Sequence, residues 1–137
     1  MRRAILASLR AIVRLRSGDR CEYCRLPQRL QEATFHIDHV VPVAAAGQTS
    51  SENLALACVS CSLRKAARSL AVDPETGRAE ALYSPRLHAW TESFSAQSDG
   101  TVTGLTASGR ATVVALALSR PIAVLIRQAE AVAGRWP

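Results

Sequence analysis

The sequence predicts a small α+β fold, in which a cysteine-rich core is flanked by a basic N-terminal helix and by C-terminal helices. Three observations predict it. Four cysteines fall in two tight pairs, a strand-like run ended by proline lies between the pairs, and helix-spaced apolar residues flank them on both sides. At 137 residues the chain fits one domain spanning 1–137, with its core at about 18–70 and a helical extension over about 84–137.

Taken in order, residues 3–17 place Ile5, Leu9, Ile12, Val13 and Leu15 near helical spacing, with Arg10, Arg14 and Arg16 between them. This is an amphipathic helix with a basic face, closed by Gly18. Cys21-Glu22-Tyr23-Cys24 follows at once. The run from Thr34 to Pro42 contains His36, Asp38 and His39 and reads as a strand stopped by proline. Ala44 to Ser51 is small, polar and contains Gly47, hence a loop. Asn53 and the apolar Leu54 to Ala57 lead into Cys58-Val59-Ser60-Cys61, and a helix is expected from Ser62 through Arg68.

Beyond the core, Asp73 to Gly77 is turn chemistry and is expected at the tip of a hairpin. His88 and Trp90 are expected in a helix, with His88 structural or exposed. Asp99-Gly100 marks a turn, followed by a short strand at Thr101 to Thr103. Ala111 to Leu118 is expected to be helical, and Pro121 suits the first turn of another helix running to about Ala133.

Bulk properties narrow the function. The apolar share is 48% but aromatics are only 4%, so the core buries little area per residue and needs a second source of stability. The net charge is +6, carried almost entirely by arginine, and Lys65 is the only lysine. A guanidinium matches phosphate bidentately, so this surplus suits a polyanionic partner. No apolar stretch is long enough to span a bilayer. Arg2 and Arg3 precede Ala4 to Ala7, but Arg10, Arg14 and Arg16 interrupt the run before an export core forms. A cytoplasmic, reducing location is therefore expected.

In that compartment Cys21-x2-Cys24 and Cys58-x2-Cys61 point to a metal rather than to disulfides. Four thiolates suit tetrahedral Zn2+, and an all-cysteine shell leaves no open position, so such a site is structural. A redox pair or an iron–sulfur cluster would also use cysteines. Neither needs a strand carrying His36-Ile37-Asp38-His39 between the pairs.

From Arg20-Cys21 through His36-Ile37-Asp38-His39-Val40-Val41-Pro42, Gly47, Glu52-Asn53-Leu54 and Cys58 to Cys61-Ser62-Leu63-Arg64-Lys65, the chain resembles the HNH endonucleases. Their ββα-metal site is framed in many members by two Cys-x2-Cys pairs. Asp73 to Gly77, Ser84 to Arg86 and Gly104 to Thr106 are similar to the tail of a bacterial, notably cyanobacterial, subgroup. The resemblance implies cleavage of nucleic-acid phosphodiesters, with double-stranded DNA as partner. His39 takes the place of the general base, and Asp38 that of a carboxylate ligand to one catalytic ion, Mg2+ or Mn2+. Asn53 takes the place of the asparagine that braces the loop behind the histidine strand. His36 lies on the side of Asp38 and is a further ligand, a substrate contact or a core residue.

One position departs from the family. Asn or His usually follows the last cysteine as a second metal ligand, and here Ser62 stands there. Arg64, Lys65 and Arg68 follow on the same predicted helix and are candidate phosphate contacts. Two other classes stay open: a non-catalytic zinc module that binds nucleic acid, its site decayed at Ser62, and an interaction scaffold using the C-terminal helices. The sequence leaves target sequence and oligomeric state undetermined.

Overall fold

The computed structural model describes residues 4–137; Arg2 and Arg3, and the start of the helix expected from residue 3, lie outside the described residues. Helices and small antiparallel sheets alternate, which is the α+β class. The described chain separates into two compact units. One comprises residues up to Ser69 together with Ser84–Leu87, the other Leu70–Tyr83 together with His88–Pro137.

The first unit opens with helix α1 (Ala7–Ser17). Gly18 ends it in the left-handed conformation at φ 64°, donating its N–H to the carbonyls of Arg14 and Leu15. Val13 is the buried residue of α1, whereas Ile12 and Leu15 are exposed. The helix is held on the core by Arg16 as well, whose guanidinium donates to the Ser51 and Leu54 carbonyls at 2.8 and 2.7 Å.

Strand β1 (His36–His39) pairs antiparallel with strand β2 (Leu54–Ala57), with His36 opposite Ala57 and His39 opposite Leu54. The expected strand from Thr34 to Pro42 is shorter at both ends. Pro42 has no N–H to continue a ladder, and Val40 and Val41 turn to bond Asn53 instead. All four residues of β2 are buried, with α1 packed against the strand.

Helix α2 (Val59–Lys65) follows β2 directly, three residues earlier than the sequence pattern placed its start. Its cap explains the shift. The Cys58 sulfur accepts from the Cys61 N–H, so the second cysteine turn is itself the first turn of α2.

The second unit begins with a hairpin of β3 (Leu70–Val72) and β4 (Ala79–Ala81), turned at Asp73 to Gly77 as expected. A one-turn helix α3 (Trp90–Ser93) leads into the hairpin of β5 (Phe94–Ala96) and β6 (Val102–Gly104). His88 precedes α3 and is exposed. Helix α4 (Ala107–Ala115) starts four residues before the expected Ala111, because the Thr106 hydroxyl caps it by accepting from the Gly109 N–H. Helix α5 (Pro121–Val132) has Pro121 in its first turn. Tyr83, Trp90 and Phe94 cluster in this unit, and Trp136 lies under the buried Arg127 guanidinium. Four of the six aromatic residues thus belong to the second unit.

Candidate active site and metal cluster

The four cysteines converge. All four sulfurs lie within 4.8 Å of one another, and Cys24 and Cys58 Sγ are 3.6 Å apart. A tetrahedron built on metal–sulfur bonds of about 2.3 Å has edges of about 3.8 Å, so the cluster has the dimensions of a zinc–thiolate site. Both turns are built alike. In each, the backbone N–H of the second cysteine points at the sulfur of the first, at 3.4 Å. Such bonds favour thiolate over thiol, as a metal ligand requires. The sulfurs also bond to one another. This holds the Cys58 thiol well below the usual thiol range and pushes the Cys61 thiol above it. The cysteines are buried, so the cluster offers no position to substrate.

The first cysteine turn is tied to the hairpin independently. Glu22 donates its N–H to the Leu56 carbonyl, accepts the Leu56 N–H on its carboxylate, both at 2.8 Å, and forms an ion pair with Arg86.

At the far end of β1 the chemistry changes from soft sulfur to hard oxygen and imidazole. Asp38 and His39 are each 8% exposed and line an open cleft of about 370 Å³, together with Pro42, Val43, Ala44, Ala66 and Ala67. Asp38 Oδ2 accepts from the Tyr23 hydroxyl at 2.9 Å and faces the Lys65 ammonium at 3.2 Å. Oδ1 accepts no hydrogen bond among the described residues. Burial pushes the Asp38 carboxyl above its ordinary range, and the Lys65 charge and Tyr23 hydroxyl pull it back only in part. His39 Nε2 is hydrogen-bonded to Thr49 Oγ1 at 2.9 Å, which fixes the ring.

Asn53 braces the loop behind these residues. Its Oδ1 accepts from the Val41 N–H at 2.8 Å, and its Nδ2 donates to the Val41 and Gln48 carbonyls. Gly47 completes the same turn. A Cβ there would lie 1.8 Å from the Val41 carbonyl oxygen, so only glycine lets the loop fold back under the end of β1.

His36 and Ser62 meet, with Nδ1 and Oγ 2.8 Å apart. Ser62, standing where the resemblance implies asparagine or histidine, is therefore engaged with His36 of β1. Lys65 lies differently from the phosphate-facing position expected of it. It is 2% exposed, with Nζ donating to the His39 carbonyl at 3.0 Å while it faces Asp38. As the only lysine, one helical turn beyond Cys61, it is drawn inward because a buried carboxylate needs a cation. Arg64, on α2, and Arg68, beyond the helix end at Lys65 and so outside the helix expected to reach it, are both exposed, Arg64 Nε donating to Ser60 Oγ and Arg68 to the Arg64 carbonyl.

Tyr23 and Thr49, which hold Asp38 and His39, carry no sequence signal. One is the interior residue of a cysteine turn and the other a threonine in a polar loop. The spacing of Lys65 from Cys61 signalled a cation near the site but not its inward direction.

Among the described residues no helix is long and apolar enough to cross a membrane. No curated protein and no solved structure shows a match to the chain. The family comparison does: residues 21–68 match the HNH endonuclease family, and that span begins at the first metal-site cysteine and contains the β1–β2 hairpin, Asn53 and α2. Residues 21–68 thus match the HNH endonuclease family, and within that span lie four cysteines positioned to hold a metal ion.

Proposed function

We propose that the chain is a metal-dependent endonuclease that hydrolyses phosphodiester bonds in DNA, with His39 as general base and Zn2+ held by Cys21, Cys24, Cys58 and Cys61 as a structural ion. The observation that carries the reading is the consecutive pair Asp38-His39, set at the end of β1 on one open cleft and braced from behind by Asn53. A module that only binds nucleic acid has no use for that pair.

In the reaction, His39 takes a proton from a water as its oxygen attacks phosphorus. The new P–O bond forms as the bond to the 3′ oxygen breaks, and that oxygen leaves with a proton from solvent. An imidazole suits the first step because its unperturbed pKa, about 6.5, lies near neutrality. Thr49 keeps the ring in one orientation. Asn53 positions the loop and touches no reacting atom.

A divalent ion, Mg2+ or Mn2+, would supply Lewis-acid stabilisation of the charge growing on the phosphate oxygens. The residues present fit it through one carboxylate. Asp38 offers Oδ1, and Mg2+ is commonly held by one or two carboxylates plus substrate phosphate and water. Ser62, in the place of the second protein ligand, is engaged with His36 instead. Arg64 on α2 and Arg68 just beyond its end would meet backbone phosphates.

One observation favours a second reading, a zinc-stabilised nucleic-acid-binding module without catalysis. The Lys65 ammonium already provides a cation 3.2 Å from Asp38. A supercoiled-plasmid assay with Mg2+, Mn2+ or chelator separates the two. Nicking that needs the ion and falls about 10²–10⁴-fold in His39→Ala supports the nuclease. A folded, zinc-loaded, DNA-binding protein that never nicks supports the binding module.

A further inference from the structure

We infer that α1 and the start of β1 form a second anion site, which holds a backbone phosphate of the nucleic-acid strand away from the bond being cut. The inference rests on the nucleic-acid reading above but not on catalysis. Arg10 and Arg14, one turn apart on α1, line a cleft of about 280 Å³ with Thr34, Phe35 and His36. No carboxylate is among its lining residues. Arg10 spends only its Nε, on the Ile5 carbonyl, and both of its Nη atoms take no hydrogen bond among the described residues. Arg14 reaches the Phe35 carbonyl at 3.5 Å and Asp19 at 3.9 Å, both long contacts. His36 has Nδ1 on Ser62, and its Nε2 makes no hydrogen bond among the described residues. Two guanidiniums and an imidazole nitrogen, weakly engaged around one concavity, suit a phosphate oxyanion.

The spacing fits a continuous strand. β1 runs from this cleft at His36 to the Asp38–His39 cleft three residues on, about 10 Å at a rise of about 3.3 Å per residue. Phosphates of one strand advance about 3.4 Å along the duplex axis per nucleotide and wind around it as they do, so a separation of about 10 Å spans at most about three nucleotides. His36, with Ser62 behind it, then serves the substrate backbone.

The test measures binding to a 20-base-pair DNA duplex and to one of its single strands across a salt series, in the His39→Ala background so that nothing is cut. Arg10→Gln/Arg14→Gln is compared with Arg29→Gln/Arg78→Gln, which removes the same charge at exposed positions off the cleft, and with Arg10→Gln alone, whose exposed side chain does least for the fold. Zinc content and thermal unfolding check that each variant is folded. Cleft variants that bind about tenfold or more weakly than the charge-matched control, with the log–log salt slope reduced by about 0.9 per lost contact, support the site. Cleft variants that bind like the control overturn it. So does a parent that binds neither probe. A parent that binds both but fails to nick plasmid DNA overturns only the proposed cleavage. The duplex and single-strand arms show which form the site takes.

Discussion

Asp38 and Asp73 are both buried carboxylates facing a single basic side chain, yet their acidities move in opposite directions. Asp73, at the turn between β3 and β4, receives Arg110 on both oxygens at 3.0 and 2.8 Å. It also accepts the Glu75 N–H and the Thr76 hydroxyl. The Arg110 bonds hold it well below the usual carboxylate range. Asp38 has one oxygen occupied and the other open, and burial holds it above that range. The protein fills the lone pairs of Asp73, whereas Asp38 keeps one oxygen open, as the proposed role of metal ligand requires.

The two sites also differ in what holds their partners in place. Tyr23 sits inside the first cysteine turn, and Lys65 lies one helical turn beyond Cys61, so each cysteine pair supplies one of the groups on Asp38. Asp73 takes its partners from its own turn and from α4. Metal loss should therefore strike one carboxylate and spare the other, and this is the largest effect expected. Cys58→Ser should remove zinc and a contribution on the order of 10 kcal/mol, enough to unfold the first unit. Hydrogen exchange on the intact chain should then show β1, β2 and α2 unprotected while amides of α4 and α5 stay slow. Protection of β1 and β2 without bound metal would break the comparison.

A smaller effect is expected at Lys65. Lys65→Met leaves Asp38 buried without its cation, and breaking a buried pair from one side typically costs about 3–5 kcal/mol. Asp38→Asn removes the charge that needs the partner, so Lys65→Met/Asp38→Asn should recover much of the loss in urea unfolding, although neither Asp38 variant should nick DNA. Additive losses would show that the 3.2 Å contact carries no coupling.

How far the sequence reads through depends on the range of the interaction. The cysteine spacing, Gly18, Pro121 and the Asp73 to Gly77 turn act within a few residues, and each element they mark is where they put it, whereas the strand that Pro42 was to stop ends at His39. Helix starts slipped where side chains supplied the cap, at Cys58 and Thr106, because either residue is equally common in a loop. Asp38, His39 and Asn53 were legible as candidates from the family pattern, and the structure sets Asp38 and His39 on one cleft with Asn53 bonded behind it. Tyr23 and Thr49 were not legible. Their contacts span 15 and 10 residues and exist only once the hairpin has closed. Lys65 was legible as a cation near the site but not in its direction, since burial of a charge is decided by the carboxylate opposite it.

The smallest effect, and the sharpest in sign, is the acid response of Asp73. Its folded-state acidity lies below the unfolded value of about 3.9, so its stabilising contribution is fully present above about pH 4. The contribution drains away as pH falls through the folded-state value, because protonation then costs the native state its Arg110 contact. Asp73→Asn abolishes this titration and keeps an acceptor for the Glu75 N–H. At pH 7 the variant should melt below the parent, read by near-ultraviolet circular dichroism from the Tyr83, Trp90 and Phe94 cluster. As the pH is lowered from 4 towards 2 the two melting curves should converge. A gap that stayed constant would mean that Arg110 holds Asp73 by shape rather than charge, and a gap that widened would reverse the assignment.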